Sequence, residues 1–266
     1  MLQAPPSLSS NIFSITAGAK RVAIEQALIL AAGRGVRMGH RGRSIPKGFI
    51  EVEGQTLIAR SLALLARSGV RDVTIVTGHL ADFYEKLPPV AGVAVTTLHN
   101  PQFAEKGSFE SLRVGLAAMR STFLLLESDI IYEPRALATV LASDQESVIL
   151  TSGPTGAGDE VYVWADEAGG AHRFRGMSKQ RASHADDPFG ELVGISKISA
   201  ELARQLTVHA GEALPGADYE SAVVRAAGEN SIACLRVDDL LWGEIDDEAM
   251  LARVEHRLWP QLKVIG

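Results

Sequence analysis

An apolar run, Ala27-Leu28-Ile29-Leu30-Ala31, leads into Ala32-Gly33-Arg34-Gly35-Val36-Arg37-Met38, and Pro46-Lys47-Gly48 follows shortly after. A buried strand that delivers the chain into a glycine-rich turn is the opening unit of an α/β domain. Small residues at Ala31, Ala32, Gly33 and Gly35 let a polyphosphate approach the backbone, where a larger side chain would hold it off. The N–H groups of such a turn converge on an anion, and Arg34, Arg37 and Lys47 supply positive charge. Three clustered cations repel one another unless an anion joins them. A nucleoside triphosphate is therefore the expected ligand. Two other phosphate loops are excluded. No Gly-Lys-Ser/Thr closes the turn as a Walker loop requires, and Met38 stands where the dinucleotide fingerprint needs its third glycine.

Beyond this turn, strand-like segments alternate with amphipathic ones, the rhythm of a mostly parallel sheet. Strands are expected over 72–77, 93–98, 122–127 and 147–151, with helices over 57–68, 80–87, 108–119 and 135–141. After Gly153 the pattern changes to a β-rich stretch. Strands are expected over 160–165, 172–179 and 192–198, then a helix over 217–227 and a late strand over 232–237. The polar stretch 180–188 reads as a loop.

The net charge of −6 argues against non-specific nucleic-acid binding, which needs a basic face, while leaving room for a nucleotide ligand with its cations concentrated locally. A single cysteine, Cys234 between apolar neighbours, excludes a disulfide framework and a cysteine-built zinc site and reads as a buried thiol. No apolar run reaches membrane-spanning length, and the order of charges in the first residues does not match a leader. These features point to the cytoplasm and away from a membrane partner. Residues 1–25 read as an extension and 26–266 as one domain. A homodimer is allowed, with nothing in the sequence to specify one.

The run Leu30 to Arg37 with Pro46-Lys47 resembles the signature L-A-A-G-x-G-x-R followed by P-K of the sugar-phosphate-type nucleotidyltransferases. Later segments are similar, in order, to the cytidylyltransferases of that family that act on 2-aminoethylphosphonate, relatives of the phosphocholine enzymes. They are Leu126-Glu127-Ser128-Asp129, Gly158-Asp159-Glu160-Val161-Tyr162, Met177-Ser178-Lys179, Glu191-Leu192-Val193-Gly194 and Trp242-Gly243-Glu244-Ile245-Asp246-Asp247. The resemblance implies a Rossmann-like α/β nucleotidyltransferase fold, a mixed sheet flanked by helices with a small β-rich acceptor-binding embellishment. It also implies CTP, a small phosphonate or phosphate acceptor, and Mg2+ held by Asp129 and Asp246, with Asp247 as the adjacent alternative. Arg37 and Lys47 would meet the phosphates and Lys179 the incoming acceptor. Nucleotide contacts are expected from Leu30 to Gly35, from Thr77-Gly78, Asn100 and Gly107-Ser108, and from Glu127.

Acceptor recognition rests on charge. A primary ammonium calls for carboxylates, and Asp159, Glu160, Glu191, Asp218, Glu220 and Glu244 are the candidates. A choline head favours an aromatic cage, which Tyr132, Tyr162, Trp164, Tyr219 and Trp242 could build in part. Carboxylates outweigh aromatics, and an aminoalkyl acceptor is the expectation.

Overall fold

The strand of the glycine-rich motif, β1 (Gln26–Ala31), lies in the parallel part of a nine-stranded sheet, and its side chains alternate between two cores. Ala27, Ile29 and Ala31 face one core, and Leu28 and Leu30 the other, so a continuous apolar run is what a strand covered on both faces requires. The computed structural model describes residues 23–209, 216–228 and 231–265. The expected extension 1–25 therefore lies outside the described residues except for 23–25.

After β1 come α1 (Gly39–Ser44), a small hairpin of β2 (Glu51–Val52) and β3 (Gln55–Thr56), and α2 (Leu57–Arg67). Thr56 caps α2 by accepting from the Ala59 N–H. Next are β4 (Asp72–Thr77), the short α3 (Asp82–Glu85), β5 (Ala94–His99), α4 (Ser108–Leu116) and β6 (Phe123–Glu127). The chain continues through β7 (Ile130–Tyr132), α5 (Pro134–Ala142), β8 (Val148–Ser152) and the hairpin of β9 (Tyr162–Ala168) with β10 (Ala171–Ser178). It ends with β11 (Gly190–Ile198), α6 (Ala200–His209), α7 (Tyr219–Ala226), β12 (Ala233–Val237), β13 (Trp242–Glu244), α8 (Glu248–Arg253) and α9 (Trp259–Ile265).

The sheet order is β5-β4-β1-β6-β11-β8-β12-β10-β9. It is mixed, as expected, but less parallel than the βαβ rhythm suggested. The run β5-β4-β1-β6 and the pair β8–β12 are parallel, whereas β11 and the β9–β10 hairpin enter antiparallel. Helices α2 and α5 cover one face through Ile58, Leu62, Leu65, Leu137 and Val140. The other face is covered by α4, α6 and α7 through Phe109, Leu112, Leu202, Leu206 and Val223. At Gly115 on α4 a Cβ would collide with the Leu28 side chain, so any larger residue there would push the helix off the sheet.

Several helices are shorter than their periodicity suggested. The helix expected over 80–87 is reduced to α3, because Leu80 takes a positive φ of 54° and Pro88-Pro89 stop the chain beyond it. Cys234 is buried and unpaired, and burial pushes its thiol up to about 12. Among the described residues no helix is long and apolar enough to cross a membrane.

Candidate active site

The strand ends and the loops beyond them enclose a cavity of about 280 Å³. Open α/β sheets present ligand sites at the C-terminal ends of their strands, and Leu30 and Ala31 at the end of β1, with Ala32 and Gly33 beyond it, line this space together with Glu127 at the end of β6 and Ser128 and Asp129 beyond it. Further wall comes from the start of α4, from Asp218, Tyr219 and Glu220 at the start of α7, from Glu244 at the end of β13 and from Asp246 beyond it.

The glycine-rich turn is held by close backbone packing. Gly35 lies in the left-handed region at φ 58°, and its carbonyl accepts from the Met38 N–H at 3.0 Å. A Cβ on Gly42 of α1 would collide with that same carbonyl oxygen, so the turn and α1 approach here backbone to backbone. Met38 is buried in a third core with Ile50, Val52, Leu57 and Ile131. It anchors the turn at the position where a dinucleotide site would carry glycine.

Strand β7 pairs antiparallel with β13, matching Ile131 with Gly243 and Ile130 with Glu244. The Ile245 N–H donates to the Asp129 carbonyl at 2.9 Å. This short ladder brings Asp129 and Asp246, far apart in sequence, to one point. The Lys47 ammonium pairs with both carboxylates, and Arg37 also pairs with Asp246. Burial opposes the charge on Lys47, but Asp129 and Asp246 outweigh it and hold the ammonium well above its ordinary range. Burial likewise works against Asp246, whose pKa nevertheless lies below the ordinary carboxylate value because of Lys47 and Arg37. The alternative, Asp247, is otherwise engaged: its Oδ1 caps α8 by accepting from the Met250 N–H at 2.8 Å.

The donor set suits a hard divalent cation. Carboxylate oxygens of Glu127, Asp129 and Glu244 lie within 4.8 Å of one another, as do those of Asp159, Glu244 and Asp246. Oxygen-only ligation of this kind is what Mg2+ takes. The Lys47 ammonium between Asp129 and Asp246 is the structure's own indication that positive charge belongs there.

A side chamber opens behind Glu127, Lys179, Glu220 and Glu244, which line both spaces. It measures about 50 Å³ and sets six carboxylates, Glu127, Asp159, Glu160, Glu191, Glu220 and Glu244, against two basic groups, Lys179 and Arg253. Two of the six are held by backbone donors. Glu191 accepts from the Thr155 N–H at 2.8 Å, and Glu160 from the Gly158 N–H at 2.8 Å. Asp159 accepts from Lys179 at 3.2 Å and also pairs with Arg37. Burial pushes Glu127 up to about 8, Glu220 up to about 7 and Glu244 up to about 10, and neighbouring acids add to each. Tyr219 donates to Glu127 at 2.5 Å, whereas Oε2 of Glu220 is buried with no hydrogen-bond partner among the described residues. Gly194, at φ 75°, leaves the room that Glu127 fills, since a Cβ there would lie 2.9 Å from its carboxyl carbon.

Not every expected nucleotide contact reaches the cavity. Arg34 is exposed and off the wall, and neither Gly35 nor Thr77 lines it. Asn100 is fully buried, donating to Ser111 at 3.0 Å and accepting from the Gln102 N–H at 2.9 Å, so it shapes the turn and positions Ser111, which does line the cavity. Gly78 packs beneath Phe103, whose ring and Cβ occupy the space a side chain there would need, and Phe103 takes the wall instead. Ser108 accepts from the Tyr219 N–H at 2.9 Å and joins α4 to α7, and Gly107 admits the backbone of Ala217. Sequence reasoning missed Tyr84, Phe103, Lys106, Ser111 and Ser128 on the cavity wall. Lys106 and Ser111, near Gly107-Ser108, and Ser128, between Glu127 and Asp129, carried a signal of position. Of the aromatic candidates, Tyr219 lines the cavity and Trp242 the side chamber, while Trp164 and Tyr132 are in the interior and Tyr162 lies beside Arg181, so the five do not form a cage.

A glycine-rich turn, a lysine beside paired carboxylates and an α/β scaffold are the parts a nucleotidyltransferase is built from. The chain belongs to the MobA-like NTP transferase domain family, which matches residues 27–211. It is 27% identical over 246 residues to the CMP-5'-(3-aminopropyl)phosphonate synthase of Streptomyces rubellomurinus, an alignment covering 88% of this chain but only 39% of that protein. To the 2-aminoethylphosphonate cytidylyltransferase of Lancefieldella rimae it is 26% identical over 246 residues, covering 86% of this chain and 92% of the other. The fold is shared with the inositol-1-phosphate CTP transferase of T. maritima at a TM-score of 0.76 and 18% identity, covering 92% of this chain and 98% of that one.

Proposed function

We propose that the chain is a cytidylyltransferase that joins CTP to 2-aminoethylphosphonate, releasing pyrophosphate. The observation that carries this reading is the meeting of two spaces at Lys179, six acids against four bases around the first and six against two around the second. A cation-bearing cavity suited to a triphosphate opens, past Lys179, into a chamber whose acids outnumber its bases. An acceptor that is an anion at one end and a primary ammonium at the other fits that polarity. The relatives named for aminoalkylphosphonates support the same substrate class.

In this reading an oxygen of the phosphonate attacks the α-phosphorus of CTP in line. The new P–O bond forms as the bond to the β-phosphate oxygen breaks, and pyrophosphate leaves with the electron pair. A phosphonate is already ionised at neutral pH, so no general base is required. The turn after β1 receives the triphosphate, and Arg37 and Lys47 balance charge that builds on its oxygens. Lys179, on the boundary of the two spaces, orients the phosphonate, while Glu127, Glu220 and Glu244 receive the ammonium. Asp129 and Asp246 would hold Mg2+, which when bound supplies further charge neutralisation at the phosphates.

Pyrophosphate release tests this directly, with CTP, UTP, ATP and GTP crossed against 2-aminoethylphosphonate, 3-aminopropylphosphonate, phosphocholine and glucose 1-phosphate. Turnover is expected with CTP and 2-aminoethylphosphonate. Preference for 3-aminopropylphosphonate would move the assignment by one methylene, and preference for phosphocholine or a sugar phosphate would overturn the acceptor.

A further inference from the structure

We infer that Trp242 is a partition that limits the size of the acceptor's cationic head, an inference that rests on the acceptor reading above. Behind the acid-rich chamber lies a second cavity of about 260 Å³, against about 50 Å³ for the chamber itself. Thr155, Trp242, Gly243 and Arg253 line both, so these residues form the wall between the two spaces. Arg253 donates to the Thr155 carbonyl at 2.7 Å and closes one part of that wall. The indole of Trp242 closes the rest.

Nothing polar ties the indole down. Trp242 is only 9% exposed, yet its Nε1–H is buried without a hydrogen-bond partner among the described residues. A buried donor left unmade is costly, so what the residue contributes here is bulk. Its neighbour Gly243 cannot share that task, because a Cβ there would press on Leu258 at 3.2 Å and Val254 at 3.4 Å.

On the near side of the partition, Glu220 offers an unpartnered carboxylate oxygen beside Glu127 and Glu244. Carboxylates in a confined space reward a head that donates hydrogen bonds, as a primary ammonium does. A trimethylammonium has no N–H to give and needs more room. The partition thus excludes it by size while the glutamates select against it by chemistry. Replacing the indole with a small side chain joins the chamber to the larger cavity and removes the size limit.

The test compares kcat/KM for 2-aminoethylphosphonate and for its N,N,N-trimethyl analogue, with CTP and Mg2+, in wild type, Trp242→Ala, Trp242→Leu and Trp242→Phe. Folding of each is checked by thermal melting. Wild type is expected to favour the primary amine by about a hundredfold, the range that one pocket's steric fit supplies. The Ala and Leu variants should raise the trimethyl-to-primary ratio about tenfold or more, chiefly through a lower KM for the trimethylated acceptor. The Phe variant, which keeps the wall, should leave the ratio unchanged. An unchanged ratio in folded Ala or Leu variants that still use the primary amine overturns the partition and leaves the function standing. Equal use of both acceptors by wild type overturns it without any variant. Absence of turnover with every amine in wild type overturns the acceptor reading and the partition with it.

Discussion

Replacing Lys47 with Met keeps most of the side chain's length and removes its charge from between Asp129 and Asp246. Breaking a buried ion pair by deleting one partner costs about 3–5 kcal/mol where nothing else compensates. Here Arg37 remains on Asp246 and the cavity admits water, so a loss of about 2–3 kcal/mol is the better figure for the ligand-free protein. For a chain of this size that is a fall of roughly 5–10 °C in Tm. The variant should also recover in a way wild type does not. With the ammonium gone, the carboxylates are free for a divalent cation, and Mg2+ tenfold above its Kd should restore about 1.4 kcal/mol without nucleotide. Scanning calorimetry with and without Mg2+ measures both effects, and pyrophosphate release should fall about 10²–10³-fold in kcat from the lost charge stabilisation. A folded Lys47→Met variant with unchanged Tm, no added response to Mg2+ and normal turnover would be incompatible with this role for the ammonium.

Three further outcomes follow from the same geometry. Asp129→Asn should leave a folded protein whose turnover falls by about a thousandfold, since a metal's charge stabilisation is worth several kcal/mol; near-normal pyrophosphate release would remove Asp129 from the site. Gly42→Ala drives a Cβ into the Gly35 carbonyl, so it should cost about 1–3 kcal/mol and weaken CTP binding in titration calorimetry, and an unchanged Tm and Kd would show that this contact does not hold the turn. Burial, with Asp218 adding, raises Glu220 from 4.5 to about 7. Its contribution to stability is full below pH 4.5 and is lost as pH rises through 7, by at most about 3 kcal/mol. Glu220→Gln should flatten that fall in ligand-free melting curves between about pH 5 and 8, and an unaltered slope would count against the buried carboxylate.

The phosphate side of the site is legible because local sequence builds it: β1, the turn and Lys47 lie within one short stretch and need only each other. The pairing of Asp129 with Asp246 is recognisable through family resemblance alone, since it depends on the β7–β13 ladder, two three-residue strands too short to show a period. Asp246 and Asp247 are distinguished only by the start of α8, which takes Asp247 as its cap. The expected base contacts at Thr77, Gly78 and Asn100 fall one layer behind the wall, because a turn residue and a residue that supports a turn carry the same sequence signal. Tyr84 and Phe103 carry no signal at all: an aromatic facing a cavity and one facing a core are alike until tertiary packing is known.

The proposed chemistry makes a new bond between the phosphonate and the α-phosphate of CTP, and ³¹P NMR of a reaction containing the protein, Mg2+, CTP and 2-aminoethylphosphonate observes that bond directly. A mutually coupled pair of phosphorus signals, one phosphonate and one phosphate, growing in step with pyrophosphate is the expected result. CTP and 2-aminoethylphosphonate that persist unchanged beside a correctly folded protein would rule the reaction out.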